Sequence, residues 1–150
     1  MRRLVLVFVL PLIAGACGGG STAANPPSPT PSPKPIMVTV NSVGSSGVTG
    51  TAQITKAVGS FTVNLTLSGM KANTQHANHF HKGSCSKSGP IDKALQTISA
   101  DASGSGTATT TVPGDFAVPA EGWYLNIHTG ADITQAGQGA AIACGDVPSA

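Results

Sequence analysis

All four histidines of the chain fall in two short segments. His76, His79 and His81 lie in HANHFHKGSC, and His128 lies in GWYLNIHTG. Residues two apart on a β-strand share a face and are about 6.7 Å apart, so His79 and His81 are expected to point to the same side. Imidazoles on neighbouring strands form a pre-organised nitrogen site that suits copper, zinc or nickel better than calcium or magnesium. The pattern predicts a metal site at His79, His81 and His128, with solvated surface histidines as the alternative.

The second segment orients His128 relative to the protein interior. In WYLNIH the apolar Trp123, Leu125 and Ile127 alternate with Tyr124, Asn126 and His128, so the last three are expected on the face opposite the core. His76 is out of phase with His79 and His81, which favours a hydrogen-bonding neighbour over a ligand. A β-bulge at Ala77-Asn78 is the route by which His76 would become a fourth ligand.

Short β-strands are the elements that must hold these histidines. Gly, Ser, Thr and Val dominate after residue 35, and no segment has a helical period. Residues 60–70 alternate strictly between apolar and polar side chains, as expected for a strand with one buried face. The pattern predicts an all-β domain, an eight-stranded Greek-key β-barrel or sandwich, with loops at 113–121 and 130–138. The predicted strands are 36–43, 48–58, 60–70, 76–82, 95–100, 105–112, 122–129 and 139–144.

The N-terminal segment has the layout of an export signal. Residues 1–16, MRRLVLVFVLPLIAGA, combine two Arg, an apolar stretch too short to span a bilayer and small residues at the end. The run before Cys17 resembles a bacterial lipobox, which implies lipidation of Cys17; ordinary cleavage leaving a free Cys is the alternative. Residues 17–35 form a Pro/Ser/Gly-rich linker and 36–150 the folded domain. We therefore expect an exported, membrane-anchored lipoprotein facing the periplasm or cell exterior.

Charge and cysteine usage limit the function classes further. Arg2 and Arg3 account for the formal net charge of +2, and no other Arg occurs, so a nucleic-acid partner is not expected. With Cys17 used by the anchor, Cys85 and Cys144 are expected to pair in an oxidising compartment. Two buried free thiols are the alternative.

Three motifs together are similar to the copper/zinc superoxide dismutase family. Between about residues 38 and 147, HANHFHKGSCSKSGP resembles that family's histidine and disulfide segment, LNIHTG its last copper-binding strand, and AGQGAAIACGDV its closing strand. The resemblance implies a superoxide dismutase-like Greek-key barrel. It also implies copper ligands at His79, His81 and His128, a neighbouring structural role for His76, and a disulfide between Cys85 and Cys144.

The chain departs from that family at three places. Ile91 follows Gly89-Pro90 where the family has a His that bridges copper and zinc, the loop carrying the other zinc ligands is missing, and the family's Arg near the closing strand is absent around Ala141. We therefore expect copper rather than zinc as the cofactor. Without that Arg, electrostatic attraction of superoxide is expected to be weak.

A second resemblance leaves the function open. Residues 124–129, YLNIHT, fit the YxNxHT pattern of the chordin-type CHRD domain, which implies the same architecture but no known turnover. The hypotheses are a weak copper-only superoxide dismutase, a non-catalytic copper-binding or copper-buffering protein, and a CHRD-like binding module without turnover. The expected partners are superoxide or copper ions, besides the membrane. No catalytic residue is assigned beyond the ligands, and a zinc hydrolase is disfavoured because neither His segment contains a carboxylate to act as a general base.

Overall fold

A computed structural model of the chain describes residues 34–149, and the regular elements in that range are all β-strands. The predicted signal peptide, Cys17 and the linker up to residue 33 lie outside the described residues. Within that range no helix is long and apolar enough to cross a bilayer. The strands are β1 (Ile36–Ser42), β2 (Thr49–Ala57), β3 (Ser60–Ser68), β4 (Gln75–His76), β5 (Asn78–Lys82), β6 (Ile91–Ala94), β7 (Ile98–Ser99), β8 (Gly106–Pro113), β9 (Trp123–His128) and β10 (Ala141–Val147).

Eight of these strands form one antiparallel sheet in the order β6-β5-β9-β10-β1-β2-β3-β8, and β4 pairs with β7 in a separate ribbon. The neighbours β5–β9, β10–β1 and β3–β8 are distant in sequence, as in a Greek-key arrangement. The backbone N–H of Gln96, just after β6, donates to Thr110 Oγ1 on β8 at 2.8 Å, so a contact links the two ends of the sheet. The predicted all-β, superoxide dismutase-like Greek-key barrel is confirmed.

The strand predictions fail around the first histidine segment. The predicted strand 76–82 is interrupted at Ala77, so His76 pairs with Ile98 in the β4–β7 ribbon while β5 pairs with β9. The predicted strand 95–100 shrinks to β7, and β6 forms where no strand was predicted. The sequence of β6 is IDKA, an edge segment of mixed exposure without an alternating pattern. Its strand conformation comes from pairing with β5, which local periodicity does not encode.

The core follows the alternation of the central strands. Phe61, Val63, Leu65 and Leu67 of β3 are all at most 2 % exposed. Each such side chain contributes about 1.5–3 kcal/mol when it is fully buried. The odd-numbered residues of β9 join this core, which leaves its even-numbered residues on the opposite face, as predicted.

A disulfide joins the loop after β5 to the closing strand. Cys85 lies in the loop 83–90 and Cys144 in β10, with their Cα atoms 5.9 Å apart. The Cys85 N–H also donates to Asp146 Oδ1 at 2.7 Å. At Gly83, where φ is 109°, a Cβ would collide with the Lys87 carbonyl oxygen. The loop is therefore held to the barrel at a place where its backbone turns tightly.

Removing the disulfide should destabilise the domain. A Cys85→Ser/Cys144→Ala variant loses a cross-link that spans 59 residues, which constrains the unfolded chain. We expect its free energy of unfolding to fall by about 2–4 kcal/mol in urea denaturation. The matched control is reductant, which should lower the stability of the wild type and leave the variant unchanged. Equal stability of oxidised wild type and variant would contradict this role.

Candidate metal centre

The register between β5 and β9 fixes where the histidines stand. His79 lies opposite Asn126, and His81 lies opposite Tyr124. His128 is two residues beyond Asn126 on β9, in the direction away from Tyr124. Their ring centroids are 5.2 Å apart for His79 and His128, 5.7 Å for His81 and His128, and 5.8 Å for His79 and His81. The three rings predicted from the sequence therefore converge.

Each ring brings one unpartnered nitrogen into this cluster. Within residues 34–149, His79, His81 and His128 form the one group of three or more potential ligands, with their ligand atoms all within 4.8 Å of one another. The buried nitrogens without a hydrogen-bond partner are Nδ1 of His79 and Nε2 of His81 and of His128. Metal–nitrogen bonds of about 2.0–2.1 Å hold two ligand nitrogens at most about 4.2 Å apart. A modest closure of the rings is enough for a shared ion.

Backbone carbonyls fix the tautomers of two of these histidines. His81 Nδ1 donates to the Gly89 carbonyl at 3.0 Å, and His128 Nδ1 donates to the Gly139 carbonyl at 2.8 Å. A carbonyl oxygen only accepts, so the proton must lie on Nδ1 and the lone pair on Nε2. Metal-binding histidines are typically oriented by this kind of bond from the other ring nitrogen. The donor atoms of both rings are thus prepared for a metal ion.

Burial disfavours the charged form of His79 and of His128. His81 and His128 are 8 % and 4 % exposed, whereas His79 is half-buried. Burial first, and then repulsion from His128 and His81, lowers the pKa of His79 from 6.5 to about 4. Burial also lowers the pKa of His128. The rings lie on the outward face of the barrel, but His81 and His128 are buried and bonded to loop carbonyls, so solvated surface histidines do not describe this site.

His76 stands beside the cluster rather than in it. Its Nδ1 donates to the His128 carbonyl at 2.8 Å, and its Nε2 lies 2.7 Å from Thr74 Oγ1. Both ring nitrogens are therefore engaged with protein atoms. The strand does break at Ala77, but the break carries His76 into the β4–β7 ribbon and supplies no fourth ligand. His76 supports the backbone at His128, a member of the three-histidine cluster.

Two further side chains lie on the same face as the cluster, and the YxNxHT pattern that contains them assigns them no role. Tyr124 stacks on the His81 ring at 5.1 Å, and its hydroxyl accepts from the Gly89 N–H at 3.4 Å. Asn126 is 8 % exposed, and its Oδ1 has no hydrogen-bond partner. Strand alternation places both on the face of His128, but their partners come from the register with β5 and from a loop.

The lowered pKa values predict acid-sensitive stability in the metal-free protein. The unfolded chain binds a proton at His79 with a pKa near 6.5, whereas the folded protein binds it only near pH 4, so unfolding takes up protons between these values. We expect the free energy of unfolding to be fully retained above pH 6.5 and to fall as the pH drops towards 4. Urea denaturation at a series of pH values measures this slope. A His79→Gln variant should show a shallower slope, and equal slopes would show that His79 is not the source of the acid sensitivity.

Comparison with known proteins agrees with both resemblances seen in the sequence. The family model of the CHRD domain matches residues 36–136. Cu/Zn superoxide dismutase from Brucella abortus has a similar structure, with a TM-score of 0.57 and 21 % identity over 76 % of this chain and 99 % of that chain. No curated protein matches the chain. At this identity the likeness to the dismutase concerns the fold, whereas the family match covers most of the chain, so this protein belongs to the CHRD domain family.

Proposed function

We propose that this protein is an exported, membrane-anchored lipoprotein whose CHRD domain holds one copper ion through His79, His81 and His128. The observation that carries the proposal is the convergence of three buried imidazole nitrogens without hydrogen-bond partners. A buried polar atom left unpaired costs about 1–3 kcal/mol. Three such atoms at one point are unfavourable unless a shared ligand completes them.

The donor set favours copper among the metals that fit. Imidazole nitrogens suit copper, zinc and nickel, and the affinity of such sites for divalent ions is greatest for copper. The cluster contains no carboxylate or thiolate. A neutral three-nitrogen set also accommodates Cu(I), which needs few ligands. The same domain can therefore hold copper in both oxidation states.

Export and anchoring rest on the sequence. The apolar segment 1–16, the lipobox-like run before Cys17 and the Pro-rich spacer have the order expected of a lipoprotein tethered away from the membrane. The disulfide between Cys85 and Cys144 supports an oxidising compartment. A copper site outside the cytoplasm is consistent with this placement.

Weak superoxide dismutation is a second candidate function. Bound copper supplies one-electron chemistry, and the overall reaction converts two superoxide ions and two protons into O₂ and H₂O₂. His79 is the most exposed of the three histidines, so it marks the side from which a small anion has access. The chain has no Arg after Arg3, however, and Lys82, Lys87 and Lys93 are the nearest cations in sequence. We therefore rank copper binding above catalytic dismutation as the function of this domain.

Copper binding is tested by titrating the metal-free protein with Cu(II), Cu(I) and Zn(II). We expect one equivalent of copper by elemental analysis and a higher affinity for Cu(II) than for Zn(II). A His79→Ala/His128→Ala variant should lose this equivalent while its circular dichroism remains that of a folded β-protein. His76→Gln is the matched control and should keep it, because His76 contributes no ligand. Retention of copper by the double variant would overturn the assignment.

Dismutation is tested separately on the copper-loaded protein. If weak dismutation is a function of the site, superoxide should decay faster with the copper-loaded protein than with the metal-free protein, both in the presence of a chelator that removes free copper. The rate should fall only weakly with ionic strength, because no cluster of Arg focuses the anion. A rate equal to that of the metal-free protein would exclude dismutation and leave copper holding as the function.

A further inference from the structure

We propose that the side-chain carbonyl oxygen of Asn126 is the fourth donor of the metal site and that it favours Cu(II) over Cu(I). This inference rests on the proposed copper function and extends it to a residue outside the three histidines. It starts from the β5–β9 register, in which Asn126 and His79 face each other directly. The Cβ atoms of such a pair are about 4.5–5.5 Å apart.

The other two histidines approach this central pair from opposite ends. His81 is two residues beyond His79 on β5, and His128 is two residues beyond Asn126 on the antiparallel β9, so each starts about 6.7 Å from the pair along the strands. Their ring centroids are nevertheless only 5.7 Å apart. Both rings must therefore lean inward over the rung formed by His79 and Asn126. The register places the shorter Asn126 side chain on the same face as these rings, in the rung between the positions of His81 and His128.

The Asn126 carbonyl oxygen, like the three imidazole nitrogens, is buried without a hydrogen-bond partner. Within the described part of the chain, four buried side-chain polar atoms lack a hydrogen-bond partner, and they are Asn126 Oδ1 and the three histidine nitrogens. The fold satisfies buried amides elsewhere, because Asn78, 1 % exposed, donates from Nδ2 to the Gln96 carbonyl at 2.7 Å. One ligand bound between the rings and the Asn126 oxygen accounts for all four atoms.

The chemistry of the amide predicts which copper state it favours. The oxygen of a neutral amide is a hard and weak donor, and Cu(II) prefers a tetragonal set of nitrogen and oxygen ligands, whereas soft Cu(I) gains little from oxygen. Three imidazoles leave the tetragonal set incomplete. Asn126 would supply the missing oxygen without adding charge, so the site would retain Cu(II) while still accepting Cu(I).

Asn126→Leu tests the proposal, because leucine has a similar size and no donor atom. We expect the Kd for Cu(II) to rise roughly tenfold, the lower end of the effect of losing a group around a metal site. The Kd for Cu(I) should change by less than about twofold, since oxygen contributes little to that ion. The Cu(II) electron paramagnetic resonance spectrum should also change. Asn126→Asp, which restores an oxygen donor, should recover Cu(II) affinity, and Asn64→Leu on β3 is the matched control.

Stability of the metal-free variant separates a ligand from a structural residue. Replacing an unpaired buried amide by an apolar side chain removes a desolvation cost, so metal-free Asn126→Leu should unfold at the same urea concentration as the wild type or a higher one. Lower stability together with equal loss of Cu(I) and Cu(II) would show a structural role and overturn the proposal. Unchanged Cu(II) affinity and spectrum in Asn126→Leu would overturn it while leaving the three-histidine function intact. Failure of the wild type to bind copper would overturn both.

Discussion

The pairing of β5 with β9 is the constraint on which the candidate site depends. Phe80 of β5 is fully buried and stacks on Trp123 of β9 with ring centroids 5.4 Å apart, and Leu125 is also fully buried. A slip of one residue would turn these apolar side chains outward and the histidines inward. Core packing therefore fixes the register, and the register alone decides that His79 faces Asn126. The geometry of the candidate site on the outer face is therefore set by the packing of the apolar side chains on the inner face.

The loop 83–90 completes the positioning of the site residues that the strands carry. The Gly89 carbonyl accepts a hydrogen bond from His81 Nδ1, and the Gly89 N–H donates to the Tyr124 hydroxyl. Gly89 therefore orients the His81 ring and is itself held by Tyr124, on which that ring stacks. A Cβ at Gly89 would collide with the Lys82 carbonyl oxygen, so only glycine brings this backbone close enough. The disulfide at Cys85 ties the same loop to β10. The tautomer of His81 therefore depends on the position of the whole loop.

Features that depend on neighbouring residues could be predicted from the sequence, whereas features that depend on residues distant in the chain could not. Alternation is local, and it correctly predicted the outward face shared by Tyr124, Asn126 and His128. The sequence offered a β-bulge at Ala77-Asn78 only as an alternative to a continuous strand 76–82. The interruption at Ala77 depends on backbone hydrogen bonds to Gly130 and His128, more than fifty positions away. Burial of the rings and the protons on Nδ1 depend on loops that the sequence indicates only as connections. The residue types of the site could thus be predicted, but their hydrogen-bonding state could not.

The site also bears on how this domain relates to the dismutase whose fold it shares. A shared fold does not imply a shared reaction, because the reaction depends on the residues of the site. In this chain the surroundings are a neutral amide at Asn126, an aromatic ring at Tyr124 and backbone carbonyls, with no carboxylate in the ligand cluster. Such surroundings add no charge that would draw an anion to the metal. They do orient donors and exclude water from two rings, which are the requirements for retaining an ion. For the copper ion proposed above, the physical chemistry of the site therefore favours binding over rapid turnover.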